Sequence, residues 1–326
     1  MAHDVVSIGN PLMDIIIEVE ESFLKEINLV KGNMHLLNEQ DISKIEKSLE
    51  KHNKKLIPGG SEANTLTALA MLGHSSIYFG KVGKDNHGTI YHKKLMEDGV
   101  ISKVIKVDGM TGRAITLITP DSERTFATHL GVATLLENSE INEADIIQAK
   151  FLHLTAYVFG GKIKEAAMQA LNIAKNNNVK ICIDLADVNI IKNNKASLTQ
   201  IVKEFAYIII ANENEAKEFT GKDPEQAVDE LSKLAEIAIV KLGENGSLIK
   251  SKGKLIKVHG FKVKAIDTTG AGDIYTAGFL YGLLNDLSLE TSGKIASFIA
   301  SKVVQVKGAR LDKIPIEEIK QLKKEK

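Results

Sequence analysis

Phe151-Leu152-His153-Leu154, a helix-period window over 163–175, and Lys180-Ile181-Cys182-Ile183 follow one another in a single stretch of the chain. Neither short run alternates apolar with polar, so each belongs to a strand buried on both faces, as in a parallel sheet, and the window between them supplies the crossover helix. Working outward, similar runs occur at 5–9, 77–79, 207–210 and 237–240, with helical windows at 62–72 and 227–235. The fold class is therefore α/β, a parallel sheet with helices on both faces.

Two stretches break this rhythm. Residues 15–37, and 103–128 with its Asp108-Gly109 and Pro120-Asp121 turns, read as strands separated by turns with no helix between them. They suit a small accessory sheet. Because they are embedded in one repeating pattern, without a Pro/Ser-rich linker or an internal repeat, the chain reads as one domain spanning 1–326 that carries a lid at about 15–37 and 103–128. The tail, 316–326, reads as a charged helix ending in the solvated run Lys323-Lys324-Glu325-Lys326.

The 326 residues include 42 Lys+Arg and 42 Asp+Glu, a formal net charge of zero that argues against a nucleic-acid partner held by phosphate contacts. Hydrophobic residues make up 44% and charged residues 26%, a composition able to bury a large core. One cysteine, Cys182, excludes an internal disulfide framework and reads as buried and inert. No apolar run approaches the ~20 residues of a membrane span and no secretory pattern is readable, so a cytoplasmic protein with no membrane partner is expected.

The segment with most chemical content is Asp267-Thr268-Thr269-Gly270-Ala271-Gly272-Asp273, followed by Ile274, Ala277, Tyr281 and Leu284 at helical spacing. Small residues permit a tight turn, and the helix that starts there aims unpaired N–H groups at one spot suited to an anion. Asp273, in the first turn, is placed to take a proton from a hydroxyl nucleophile; alternatively it only caps the helix. Pro58-Gly59-Gly60-Ser61-Glu62-Ala63-Asn64 leads into another helix, where Asn64 reads as a polyol ligand and Ser61 as a cap. Asp14, just past the first strand, is positioned for two sugar hydroxyls or for capping a turn. Asn212-x-x-Glu215 suits either a hydrated Mg²⁺ near phosphates or a capping box. Lys241-Leu242-Gly243-Glu244-Asn245-Gly246 is a glycine loop beside a nucleotide or a hairpin turn, and Asp184 and Asp187 end a strand without an assigned role.

There is no GxxxxGK[ST] and no strand-first GxGxxG with its acidic partner, which removes the P-loop and dinucleotide readings. His87 and His92 lack metal-ligand spacing.

Jointly, Gly59-Gly60-x-x-x-Asn64 and the segment 267–273 match both signatures of the ribokinase, or PfkB, carbohydrate kinase family, and the chain resembles it from Asp4 to about Lys307. Asp14, Asn212-x-x-Glu215 and the Gly243 loop fall in the family's order. Gly9-Asn10-Pro11-Leu12-Met13-Asp14-Ile15 and Asn33-Met34-His35-Leu36 resemble the adenosine kinase branch more than ribokinase itself.

The resemblance implies a ribokinase-like fold with a mostly parallel central sheet and a small β lid. It implies Asp273 as base, with Gly270, Ala271 and Gly272 as the anion hole. It implies Asp14, Gly59, Gly60 and Asn64 around the acceptor and Arg124 as a lid cation reaching the transferring phosphate, against a surface arginine in a hairpin. Asn212, Lys241, Gly243, Gly246 and Thr268 then belong to the ATP side, Glu215 to an indirectly held Mg²⁺, and Asp267 to a monovalent cation such as K⁺. The expected acceptor is the 5′-hydroxyl of a purine nucleoside, adenosine first, covered by Met13, Met34, Leu36, Phe126 and Leu130 with His129 nearby; the alternative is a free sugar such as ribose or fructose. A non-catalytic nucleoside-binding protein and a nicotinamide oxidoreductase are the readings from other classes, and monomer or homodimer is left open.

Overall fold

The computed structural model describes residues 3–121 and 123–323. Among the described residues the strands are β1 His3–Ile8, β2 Leu12–Glu18, β3 Met34–Leu36, β4 Lys55–Gly59, β5 Ser76–Gly83, β6 Ile101–Val107, β7 Gly112–Ile118, β8 Arg124–His129, β9 Ala149–Thr155, β10 Lys180–Asp184, β11 Ile208–Asn212, β12 Ile237–Lys241, β13 Ser247–Ser251 and β14 Lys254–Val258. Nine form one sheet in the order β14-β13-β12-β11-β10-β9-β1-β5-β6, parallel from β12 through β6 and antiparallel only at the β13 and β14 edge. Successive strand residues serve opposite faces. Phe151, Cys182 and Ile208 pack with helices Ser61–Met71, Ala271–Leu284 and Leu289–Val303, while Leu152, Ile183 and Ile209 pack with Ile163–Asn176, Val188–Phe205 and Pro224–Leu231. That double burial is the reason these runs are continuously apolar. Cys182 is buried and unpaired, as expected.

The other five strands form a second sheet, β3-β8-β7-β2-β4. Its inner face sends Met13, Ile15, Ile17, Ile115, Leu117 and Ala127 into a core with Leu24, Ile42, Ile45 and Leu49. The alternate residues Leu12, Asp14, Ala114, Phe126 and Thr128 face a cavity, joined by Met34 and Leu36 from the edge strand.

Several expectations need correction. A helix, Glu21–Glu26, interrupts the first irregular stretch; six residues are too few to show a period, and its one buried side chain, Leu24, docks on the small sheet. Residues 103–107 belong to β6, at the edge of the large sheet, so the second stretch contributes to the small sheet only from Gly112 onward. The Asp108-Gly109 turn therefore connects the two sheets. β4, which carries Pro58 and Gly59, is an unanticipated edge strand, and Pro58 is tolerated there because an edge strand need not donate its N–H on both sides. The helix expected over 227–235 ends at Leu231. Ser122, two positions before Arg124 in the sequence, and 324–326 of the expected solvated tail lie outside the described residues; the tail helix is Ile316–Leu322. Among the described residues no helix is long and apolar enough to cross a membrane.

Candidate active site

The carboxyl ends of β1, β10, β11 and β12 open onto a cavity of about 950 Å³ whose opposite wall is the small sheet. This is where parallel α/β sheets place ligands. Helix Ala271–Leu284 begins at its floor, preceded by Gly270 in the left-handed region at φ 75°. A Cβ on Gly270 would stand 2.5 Å from the Ala309 carbonyl oxygen, so no other residue fits this turn. The first turn aims backbone N–H groups at the cavity, and Gly270, Ala271, Gly272 and Thr268 all line it. Ala271 also donates its N–H to the Thr268 carbonyl at 3.2 Å, which leaves Gly272 and Asp273 as the freer donors of the turn.

Asp273 lies at the junction of the two motif segments. Ser61 Oγ donates to its Oδ1, Asn64 Nδ2 donates to its Oδ2 at 2.9 Å, and Thr65 Oγ1 donates to its carbonyl at 3.1 Å. Burial pushes its carboxyl up to about 6, with the two donated hydrogen bonds opposing. At neutral pH it is therefore mostly ionised yet more basic than a surface aspartate, suited to accepting a proton from an alcohol. Asp14 faces the same space from β2, and burial raises it to about 7, Arg310 opposing and Asp273 and Asp267 adding to the rise. Gly59 does not line the cavity; it makes room for Asp14, because a Cβ there would run into that carboxylate. Gly60 does line it, as does Glu62, whose Oε1 accepts from both the N–H and the hydroxyl of Thr155 and which burial lifts to about 7.

On the other side, Lys241 Nζ reaches Asp184 Oδ2 at 2.8 Å, and both line the cavity next to Gly272. Burial works against the Lys241 charge, but Asp184 and Glu215 outweigh it and raise the ammonium above its ordinary value. Asn212 and Glu215 form the capping box: Asn212 Oδ1 accepts from the Glu215 N–H at 2.9 Å, and Glu215 Oε2 from the Asn212 N–H at 2.7 Å. Asn212 Nδ2 donates to Glu215 Oε1 at 2.6 Å, and burial lifts Glu215 to about 7. Each carboxylate oxygen retains a lone pair, a donor set that fits Mg²⁺ held through its waters better than direct ligation. Gly243, Glu244 and Gly246 line the cavity from the β12–β13 hairpin, across from Phe261, Val263, Ala300 and Val304.

Other candidates sit elsewhere. Arg124 and Asp267 are outside the cavity wall and pair with each other at 2.7 Å, Arg124 also donating to Thr269 Oγ1 at 3.1 Å. The remaining Asp267 capacity accepts the N–H groups of Gly308 at 2.6 Å and Thr269 at 2.9 Å, which, although burial opposes them, hold its carboxyl below the ordinary range. Among the described residues, Oδ1 is shared by Arg124 and the Thr269 N–H, whereas Oδ2 accepts only from Gly308 and keeps a lone pair. Met13 is buried on the inner face of the small sheet, since a cavity-facing Asp14 turns its neighbour away. His129 is also off the wall, its Nδ1 hydrogen-bonded to the Leu37 carbonyl oxygen at 2.9 Å. Met34, Leu36, Phe126 and Leu130 do line it, with Met34 61% and Leu36 71% exposed. His87 pairs with Glu46 and His92 with Ser102, and among the described residues no metal-binding cluster occurs.

Sequence reasoning missed Ser61 as a partner of Asp273, Glu62 and Tyr157 as lining residues, Asp184 as the counter-charge of Lys241, and Arg310 behind Asn64. The position of Asp184 at a strand end hinted at the site; nothing local marks Arg310.

Residues 3–317 match the pfkB family carbohydrate kinase model. A 5-dehydro-2-deoxygluconokinase of Bacillus subtilis is 31% identical over 278 residues, 81% of this chain and 86% of its own. In structure, the chain is similar to an adenosine kinase from Sinorhizobium meliloti, with TM-score 0.89, 29% identity and coverage of 98% of this chain and 99% of the other. It is equally similar to a probable sugar kinase from Rhizobium etli, with TM-score 0.89, 28% identity and the same coverage. A basic carboxylate beside a helix N-terminus, on a fold and motif set shared along almost the whole length, leads to one assignment: the chain belongs to the pfkB family of carbohydrate kinases and is a phosphotransferase with an alcohol group as acceptor.

Proposed function

We propose that this kinase transfers the γ-phosphoryl group of ATP to the 5′-hydroxyl of a purine nucleoside, adenosine first. The observation that carries this reading is the apolar row Met34, Leu36, Phe126 and Leu130 on the wall opposite Asp273, with Met34 and Leu36 left largely exposed. A flat base resting on such side chains would bury them, and full burial of a Met or Leu contributes about 1.5–3 kcal/mol. Among the described lining residues Lys241 is the one cation, and it lies on the donor side, whereas Asp14, Glu62 and Asp273 surround the acceptor side. That charge pattern disfavours sugar acids and sugar phosphates and suits a neutral acceptor.

In this reading Asp14 accepts the ribose hydroxyls and Asn64 holds the base carboxylate in line. Asp273 takes the proton of the attacking hydroxyl as the bond to phosphorus forms, and the first-turn N–H groups of the helix receive the charge developing on the transferring phosphoryl. Lys241 neutralises the donor phosphates. Mg²⁺, when bound near Asn212 and Glu215, adds further charge neutralisation. The small sheet serves as a lid that excludes water from a site that would otherwise hydrolyse ATP.

A free-sugar acceptor is the second reading, favoured by the sugar kinases among the relatives; it keeps Asp14 and Asn64 but finds no polar partner on Met34 or Leu36. The test is a panel of adenosine, inosine, guanosine, ribose, fructose and 5-dehydro-2-deoxygluconate with ATP and Mg²⁺. The highest kcat/KM is expected for adenosine. A higher value for ribose, fructose or the keto sugar would overturn the nucleoside assignment.

A further inference from the structure

Behind the acceptor side, Arg310 is buried, with its side chain 8% exposed. Its Nε donates to Asn64 Oδ1 at 2.8 Å, and its Nη1 pairs with Asp98 Oδ2 at 3.0 Å. Asp98 caps the end of helix Asn86–Glu97, so the guanidinium is anchored by one body and reaches the amide of another. Asn64 is an amide that can flip, and its two orientations present opposite groups to Asp273. With Arg310 donating to Oδ1, only Nδ2 is left to face Asp273 Oδ2, as observed at 2.9 Å.

We propose that Arg310 is a positioning residue for phosphoryl transfer: by fixing the Asn64 amide it aims the Asp273 carboxylate at the acceptor hydroxyl, without touching the substrate itself. Arg310 stands outside every motif, 246 positions from Asn64, and is absent from the cavity wall. A guanidinium suits this task because its rigid fork serves Asp98 and Asn64 at once, which a flexible ammonium does not. Loss of the fork leaves Asn64 Oδ1 without its donor, so the side chain is free to rotate away and carry Nδ2 out of line with Asp273 Oδ2.

The inference rests on Asp273 being the base, and a double-mutant cycle tests it separately from that reading. Arg310→Met is expected to lower kcat roughly ten- to hundredfold, the scale of a 1 Å misplacement at a reacting group, with the KM for ATP unchanged. In an Asn64→Ala background the same change is expected to cost several-fold less in kcat than in the wild type, because the residue through which Arg310 acts on Asp273 is gone and only its charge effect on Asp14 remains. Arg310→Lys keeps the charge opposite Asp98, so it is expected to retain the wild-type melting temperature yet recover little of the kcat. Effects of Arg310 and Asn64 that multiply, or full recovery by Arg310→Lys, would overturn the proposal. Near-normal turnover in Asp273→Asn would instead refute the base, leaving the Arg310–Asn64 coupling to be judged by the cycle.

Discussion

Replacing Asp273 by Asn tests the base through two quantities that move in opposite directions. Burial displaces the carboxyl from its ordinary 3.8 to about 6. The folded state therefore binds this proton more tightly than the unfolded chain. Its contribution to stability is present at low pH and is lost as pH rises through about 6, reaching a cost of ~3 kcal/mol at neutrality. An amide carries no charge and escapes that cost. It also fits the site: Asn64 Nδ2 still finds an oxygen, and the Ser61 hydroxyl can turn from donor to acceptor opposite the new NH₂. Urea unfolding of both proteins should thus show the Asp273→Asn advantage growing by about 2 kcal/mol between about pH 4 and 7. At pH 7 turnover should fall by roughly 10²–10⁴, since the proton acceptor is lost. In the wild type kcat should decline below about pH 6, as the base is protonated. Parallel stability profiles for the two proteins would refute the argument from burial. Turnover within threefold of wild type would refute the catalytic role.

Two further substitutions probe the walls of the site. Gly59→Ala places a methyl group against the Asp14 carboxylate, so kcat/KM for the acceptor should drop by about tenfold or more while the KM for ATP holds; equal effects on both substrates would count against Asp14 as an acceptor ligand. Lys241→Met removes the cation from buried Asp184, which keeps the Thr276 hydroxyl at 3.2 Å and the Ala186 N–H at 3.0 Å but no counter-charge, and should cost roughly 3–5 kcal/mol in chemical denaturation and raise the KM for ATP. An unchanged unfolding midpoint would show that Asp184 has found another partner or a proton.

The fold class, the parallel sheet and the glycine turn that starts the helix bearing Asp273 were legible in the sequence because they depend on local patterns. A run such as 180–183 is apolar on consecutive positions only if both its faces are covered, and Gly270 with Asp273 marks a helix start within seven residues. The sidedness of the small sheet was not legible. Met13 and Asp14 are neighbours of opposite destiny, and which one meets the ligand depends on how β2 sits between β4 and β7. The helix Glu21–Glu26 gains its place from Leu24 docking rather than from propensity, and β6 joins the large sheet through pairing with β5 instead of continuing toward β7. The partners that tune the site are more distant still: Ser61 meets Asp273, Lys241 meets Asp184, and Arg310 meets Asn64 and Asp98 across separations of 57 to 246 residues. Each residue alone reads as a cap, a loop cation or a surface charge. Sequence periodicity reports which face of an element is dry, but the pairing of charges and amides is decided only when the strand order and the packed helices bring those faces together, because a hydrogen bond acts over about 3 Å and carries no trace in the local pattern.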